Sequence, residues 1–242
     1  MAAMTPATPR RPNADDVLRW LERRGTRRNI EGMARFGITS AKAFGVSMAT
    51  MRPLVRRLGH DHALAQALWR TRWHEARILA SFIDEPARVT AAQMDKWARD
   101  FDNWAVCDSV CFHLFDRTPH AWEKAVQWSR QDPEFIKRAA FALMAGLTVH
   151  DKHSPDPAFV RLLPIIERGA RDPRNFVKKA VSWALRQIGK RNLTLNGAAI
   201  AVARRLAAAD QAAPRWVGKD VLREIAGPAV RQRLIDRAKR GR

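Results

Sequence analysis

The chain has 242 residues, 46% of them hydrophobic, and its 44 lysines and arginines against 24 aspartates and glutamates leave a formal charge of +20. That apolar content is ample for a packed core and excludes a wholly disordered chain. No run approaches the roughly 20 apolar residues of a membrane-spanning helix, so the surplus charge points to a polyanionic partner, DNA or RNA, ahead of a lipid surface. The opening Met-Ala-Ala-Met-Thr-Pro-Ala-Thr-Pro-Arg-Arg-Pro lacks the apolar core of a secretory signal. The expectation is a cytoplasmic, nucleoid-associated protein in which residues 1–13 form a disordered tail and 14–242 a single helical-repeat DNA-binding domain.

Apolar residues recur at helical spacing almost throughout, with short breaks and no convincing alternating strand, so the fold class expected is all-α. In chain order the pattern predicts helices over 14–24, 26–36, 50–59, 61–71, 73–84, 90–101, 103–116, 119–131, 133–147, 157–170, 174–191, 196–209, 214–225 and 227–238. Two of these open on related segments, Asp132-Pro133-Glu134-Phe135-Ile136-Lys137-Arg138-Ala139-Ala140 and Asp172-Pro173-Arg174-Asn175-Phe176-Val177-Lys178-Lys179-Ala180-Val181. In both, Asp can cap a helix whose first position is Pro, where the missing N–H costs nothing. Phe135 and Phe176 stand 41 residues apart, close to the period of two-helix HEAT repeats, and Trp73, Trp104 and Phe135 follow one another at intervals of 31. Stacked pairs of this kind form a curved α-solenoid whose second helices line one concave face, suited to a long partner.

Cys107 and Cys111, four apart on a predicted helix, read best as small buried apolar residues. His74-Glu75 begins like a metalloprotease motif, but position 78 is Ile. His150, Asp151 and His153 precede Ser154-Pro155-Asp156-Pro157 and read as a solvated loop ahead of a metal site. No metal or other cofactor is expected.

Residues 176–191 carry the most informative placement. Wound at roughly 100° per residue, Phe176, Val177, Ala180, Val181, Ala184, Leu185 and Ile188 form one apolar stripe. Trp183 lies roughly 120° from its centre, among Lys179, Arg186 and Lys190 at helical spacings. A large aromatic within a basic face suits something flat and anionic, although Lys178, Lys179, Arg186, Lys190 and Arg191 also fit a solvated face. On the helix that follows Asp102-Asn103, Val106, Cys107, Val110, Cys111 and Leu114 make the buried stripe, with Trp104 and Asp108 neighbours on its rim. A carboxylate there sits in a positive field that holds it ionised, or simply pairs with a surface cation. Arg138 faces away from the stripe of Ile136, Ala140, Leu143 and Leu147, beside Ala142 and Ala145; small neighbours permit a close backbone approach, and an ordinary solvated arginine is the alternative.

Three motifs resemble the AlkD-type DNA glycosylases, the HEAT-like-repeat branch of DNA alkylation repair: Asn103-Trp104-Ala105-Val106-Cys107-Asp108-Ser109, Ile136-Lys137-Arg138-Ala139-Ala140, and Phe176-Val177-Lys178-Lys179-Ala180-Val181-Ser182-Trp183-Ala184-Leu185-Arg186. The resemblance covers roughly residues 25 to 225. It implies that Trp104 and Trp183 cradle the damaged nucleotide, that Asp108 is the catalytic carboxylate and that Arg138 is the arginine beside it; Arg138 and the basic helix are expected to grip phosphates and set register. Gly45-Val46-Ser47-Met48-Ala49-Thr50-Met51-Arg52 resembles, more loosely, the start of an N-terminal DNA-contacting helix, and only Arg52 carries over, because Met48 and Ala49 replace polar residues. The implied activity is hydrolysis of the N-glycosidic bond of cationic N3- or N7-alkylated purines in double-stranded DNA by a monomer, without flipping the base into a pocket. Two rivals are a non-catalytic binder of branched or bent DNA on the same fold and a helical scaffold for acidic proteins. The first forgoes the joint presence of Trp104, Asp108, Arg138 and Trp183; the second gives no reason for Trp183 amid lysines.

Overall fold

The structure is a computed structural model and describes residues 11–240; most of the expected N-terminal tail, residues 1–10, lies outside them. Among the described residues it is all-α. In order the helices are α1 (Ala14–Glu22), α2 (Arg27–Arg35), α3 (Met48–Leu58), α4 (His62–Arg70), α5 (His74–Ile83), α6 (Ala91–Arg99), α7 (Trp104–His113), α8 (Ala121–Trp128), α9 (Glu134–His150), α10 (Asp156–Val160), α11 (Leu163–Gly169), α12 (Asn175–Gly189), α13 (Leu193–Ala207), α14 (Ala212–Ile225) and α15 (Pro228–Arg240), with 3-10 turns at Pro86–Arg88 and Phe115–Arg117. They gather into two compact units, the first ending at Glu85 and the second starting at Pro86. No helix among the described residues is long and apolar enough to cross a membrane.

Local sequence sets many helix starts. The side chains of Asn13, Thr26, Ser47, Asp61, Thr90 and Asn192 each accept the N–H three residues on, and Asn103 accepts those of Ala105 and Val106, which supplies donors that a helix N-terminus otherwise leaves unpaired. Asp132 and Asp172 depart from this pattern: the cap positions of α9 and α12 are Pro133 and Arg174, with no side-chain cap bond. Asp172 instead holds Arg174 through its backbone N–H and guanidinium and pairs with Lys137 at 3.4 Å, while Arg174 donates to the Asp132 carbonyl at 2.6 Å. The paired Asp-Pro segments therefore tie neighbouring repeats to each other.

In the first unit, the carboxylate of Glu75 is buried and accepts the backbone N–H groups of Phe44, Gly45 and Val46 at 3.0, 2.7 and 3.1 Å. Gly45 (φ +77°) is required there, since a Cβ would stand 2.2 Å from the Thr26 carbonyl. Arg52 is exposed on α3, whose helix begins at Met48 after the Ser47 cap.

The second unit is a stack of helical pairs. α7 packs on α9, α9 on α12 and α12 on α14, and α8, α11 and α13 back them. Cys107 and Cys111 show the register: both are buried free thiols, donating to the carbonyls of Phe135 and Ala139 at 3.5 and 3.7 Å, so four residues along α7 match four along α9. Trp104, Phe135 and Phe176 recur at the opening turns of α7, α9 and α12, and the Phe135 and Phe176 rings stand 5.5 Å apart. On α12, Val177, Ala180, Val181, Ala184, Leu185 and Ile188 are fully buried, each larger side chain worth about 1.5–3 kcal/mol of hydrophobic stabilisation.

Three predicted elements come out differently. The helix expected over 103–116 stops at Leu114 and tightens into the 3-10 turn. The one expected over 157–170 divides into α10 and α11, because Pro164 cannot donate to the preceding turn and sits instead in the first turn of α11. α9 runs on through Thr148, Val149 and His150, so His150 is helical; its Nδ1 bonds Asp116 at 2.5 Å. Asp151 is no free loop residue either, accepting from Trp122 Nε1, His153 N and the backbone and hydroxyl of Ser154.

Candidate active site and nucleic-acid interface

Asp108, on the second turn of α7, faces Arg138 on the second turn of α9. The pairing is bidentate: Arg138 Nε donates to Asp108 Oδ1 at 2.8 Å and Nη2 to Oδ2 at 2.7 Å. Arg138 Nη1 donates to the Phe176 carbonyl at 2.5 Å, in the first turn of α12. One guanidinium thus links three successive inner helices, and it is 6% exposed. The expectation of a phosphate-gripping Arg138 is corrected by this geometry, because its three donor groups are all directed at protein acceptors. The guanidinium carbon lies 5.9 Å from the Trp104 ring, which places Trp104 beside the pair.

The carboxylate is not simply held ionised by a positive surface. Burial pushes the Asp108 carboxyl above its ordinary value, and the charge and hydrogen bonds of Arg138 oppose the rise without cancelling it. For Arg138, burial disfavours the charge, but Asp108 more than offsets this and raises its pKa. The side chain of Asp108 keeps 20% of its surface open, and that surface faces a cleft of about 410 Å3 bounded also by Lys179, Trp183, Trp216 and Asp220. Trp183 is half-buried outside the apolar stripe of α12, its ring centroid 5.5 Å from that of Phe112.

The basic residues of α12 have different surroundings. Lys179 is exposed at the cleft and, among the described residues, makes no ion pair. Lys178 lies over the Trp216 ring at 5.0 Å. Arg186 is largely neutralised, contacting Asp220 at 2.5 Å and Glu224 at 2.8 Å as well as the Ser182 hydroxyl, and Lys190 pairs with Glu224 at 2.8 Å. Arg191 donates to the carbonyls of Thr148 and Ser154 and covers the Phe159 ring at 4.1 Å. Arg186 and Lys190 are therefore weaker phosphate ligands than their spacing suggests, since a neighbouring carboxylate already balances each charge. Arg52 belongs to the first unit.

Comparison with known proteins places the chain. A family model described as DNA alkylation repair enzyme matches residues 17–225. The chain belongs to that family. No curated protein matches. A solved structure described as "a new family of proteins related to the HEAT-like repeat DNA glycosylases with affinity for branched DNA structures" superposes with a TM-score of 0.73, covering 88% of this chain and 96% of that one at 18% identity. The likeness establishes a HEAT-like fold for this DNA alkylation repair family member.

Trp216 and Asp220 were not picked out from the sequence. Both come from α14, whose stripe of Val217, Val221 and Ile225 is buried while Trp216 remains 36% exposed. Winding α14 exposes the same signal that singles out Trp183, an indole outside the apolar stripe and next to basic residues.

Proposed function

We propose that the protein is a DNA N-glycosylase that releases cationic N3- or N7-alkylated purines from duplex DNA. The observation that carries this reading is the bidentate Arg138–Asp108 pair at the edge of an open cleft flanked by Trp183. An alkylated purine of this class already bears positive charge and departs as a neutral base, so no general acid is needed. As the bond breaks, charge moves to the sugar as an oxocarbenium-like species. Asp108, fixed in orientation by two hydrogen bonds and largely buried at the edge of the cleft, stabilises that charge and holds or deprotonates the attacking water. Arg138 is a positioning residue: it aims the carboxylate and keeps it ionised. Trp104 and Trp183 offer electron-rich faces to the cationic nucleotide, each worth on the order of 0.5–2 kcal/mol. Lys179 and Lys178 supply charge for the backbone.

The cleft is open, which suits recognition from the backbone side and tolerance of bulky lesions, in contrast to enzymes that enclose a flipped base. The test is Asp108→Asn on a duplex carrying one 7-methylguanine: single-turnover release should fall roughly 10²–10³-fold, the size of effect typical when a preorganised electrostatic group is lost, with DNA affinity unchanged.

A second reading is favoured by the description of the structural neighbour, whose own affinity is for branched DNA. Under it, the same surface binds a four-way junction at least tenfold more tightly than an alkylated linear duplex, and Asp108→Asn alters nothing beyond stability.

A further inference from the structure

A second cavity in the same unit, of about 610 Å3, opens where the C-terminal ends of α9 and α12 meet α15. Four cations reach it from three elements: Lys152 after α9, Lys190 and Arg191 at the end of α12, and Arg237 on α15. Three of the four are anchored by backbone carbonyls. Lys152 donates to the Val149 carbonyl, Arg191 to the carbonyls of Thr148 and Ser154, and Arg237 to those of Lys190 and Arg191 at 3.4 and 3.3 Å. None of these three forms an ion pair among the described residues, whereas Arg186 in the cleft is matched by Asp220 and Glu224. Neutral carbonyls hold the cations in place without cancelling their charge.

The opposing charges are few. Asp156 lines the cavity and is held by Asn192 at 2.8 Å, and Glu224 pairs with Lys190. The carbonyl ends of α9 and α12 each add about half a negative charge, and the same cations cap them. A net positive field remains in a concave, polar site, which fits a small, hard, multiply accepting anion.

We propose that this cavity holds a backbone phosphodiester of the bound DNA strand, apart from the nucleotide at the Asp108 cleft. Its register rests on the proposed function, because it is measured from Trp183 as the place of the target nucleotide; its anion selectivity does not. Trp183 and Lys190 are two turns apart on α12, about 10 Å at 1.5 Å per residue, and a duplex strand rises about 3.4 Å along its axis per nucleotide. Because successive phosphates of a strand are at least that far apart, the phosphate held lies within about three nucleotides of the lesion. A grip at that distance fixes the strand without touching the reacting sugar.

The test is equilibrium binding to a duplex carrying one alkylated purine, with a single uncharged methylphosphonate linkage moved along the damaged strand, for wild type, Lys152→Gln, Arg237→Gln and the control Lys239→Gln. Lys152 is exposed and donates to the Val149 carbonyl three residues before it, so its variant guards against misfolding of Arg237→Gln. Expected is a loss of affinity, roughly fivefold or more, centred within about three nucleotides of the lesion in wild type and in the control. That loss should be absent in the two cavity variants, whose slope of log K against log salt should also fall by about 1. Cavity variants that behave like Lys239→Gln, or an effect confined to a 5′-terminal phosphate, would overturn the proposal. Because the readout is binding, absence of base release would count against the glycosylase reading and leave this result legible.

Discussion

Replacing Arg138 with Met keeps much of the volume and removes the guanidinium, so it isolates what the arginine does for Asp108. Two hydrogen bonds, at 2.8 and 2.7 Å, and one unit of opposite charge are lost from a carboxylate already raised by burial. The sign is unambiguous: both contributions of Arg138 lower the Asp108 pKa, so their removal raises it further, and the ionised fraction at neutral pH falls. If excision needs the carboxylate, activity in the variant is lost at a higher pH on the acid side than in wild type and returns as pH rises. Each unit by which the midpoint moves is a tenfold loss of rate below it, or about 1.4 kcal/mol. Stability follows the same linkage. Leaving one member of a buried pair unmatched costs about 3–5 kcal/mol, against a total of about 5–15 for a domain, and the Phe176 carbonyl loses its donor as well. Protonation of Asp108 relieves the stranded charge, so the deficit should be smaller at pH 5 than at pH 8. Single-turnover release from pH 5 to 9, with urea unfolding at both ends, checks both. A variant that stays folded and shows the wild-type acid limb would refute the claim that Arg138 sets the charge of Asp108.

Other substitutions probe neighbouring parts of the same unit. Gly146→Ala would place a Cβ 2.5 Å from Asp116 Oδ2 in a buried position, and a urea midpoint should report a loss of about 1–3 kcal/mol from overpacking. Burial lifts Asp116 to about 6 although its bond to His150 opposes the rise. Native Asp116 therefore binds its proton more tightly than the unfolded chain, and its contribution to stability declines as pH rises from about 4 to 6; Asp116→Asn should flatten that slope in denaturant titrations. Lys179→Ala should weaken DNA binding and lower the salt slope by about 1, whereas Arg186→Ala should change the slope less, because Asp220 and Glu224 already balance that charge. Trp183→Ala should reduce excision by roughly 2- to 30-fold, the equivalent of 0.5–2 kcal/mol of cation–aromatic contact.

Much of the helical array was legible because apolar residues recur at helical spacing, as in the stripe on α12 with Trp183 outside it; the caps expected at Asp132 and Asp172 were not, because Asp172 turns to Arg174 and Lys137 instead. The halves of the candidate site could be named because Trp104, Asp108, Arg138 and Trp183 lie off their stripes. Their relation to one another was not, since a spacing of 30 residues between Asp108 and Arg138 says nothing of a bidentate contact until α7 and α9 are in register. The same ignorance made Arg138 look like a phosphate ligand and hid the neutralisation of Arg186 by α14. The break before Pro164 could have been read from that proline's missing N–H. The continuation of α9 to His150 could not, because it depends on Asp116 arriving from the turn that follows α7.

Glycosidic-bond cleavage at Asp108 and its cleft can be tested without any variant. The most direct measurement incubates excess wild-type protein at low salt with duplexes carrying 7-methylguanine or 3-methyladenine, and follows free base and abasic site against protein-free duplex. Expected is stoichiometric release of the free base with an abasic site left at the lesion, faster than spontaneous depurination by roughly a hundredfold or more. Saturable binding of both duplexes with release no faster than the protein-free control would contradict it.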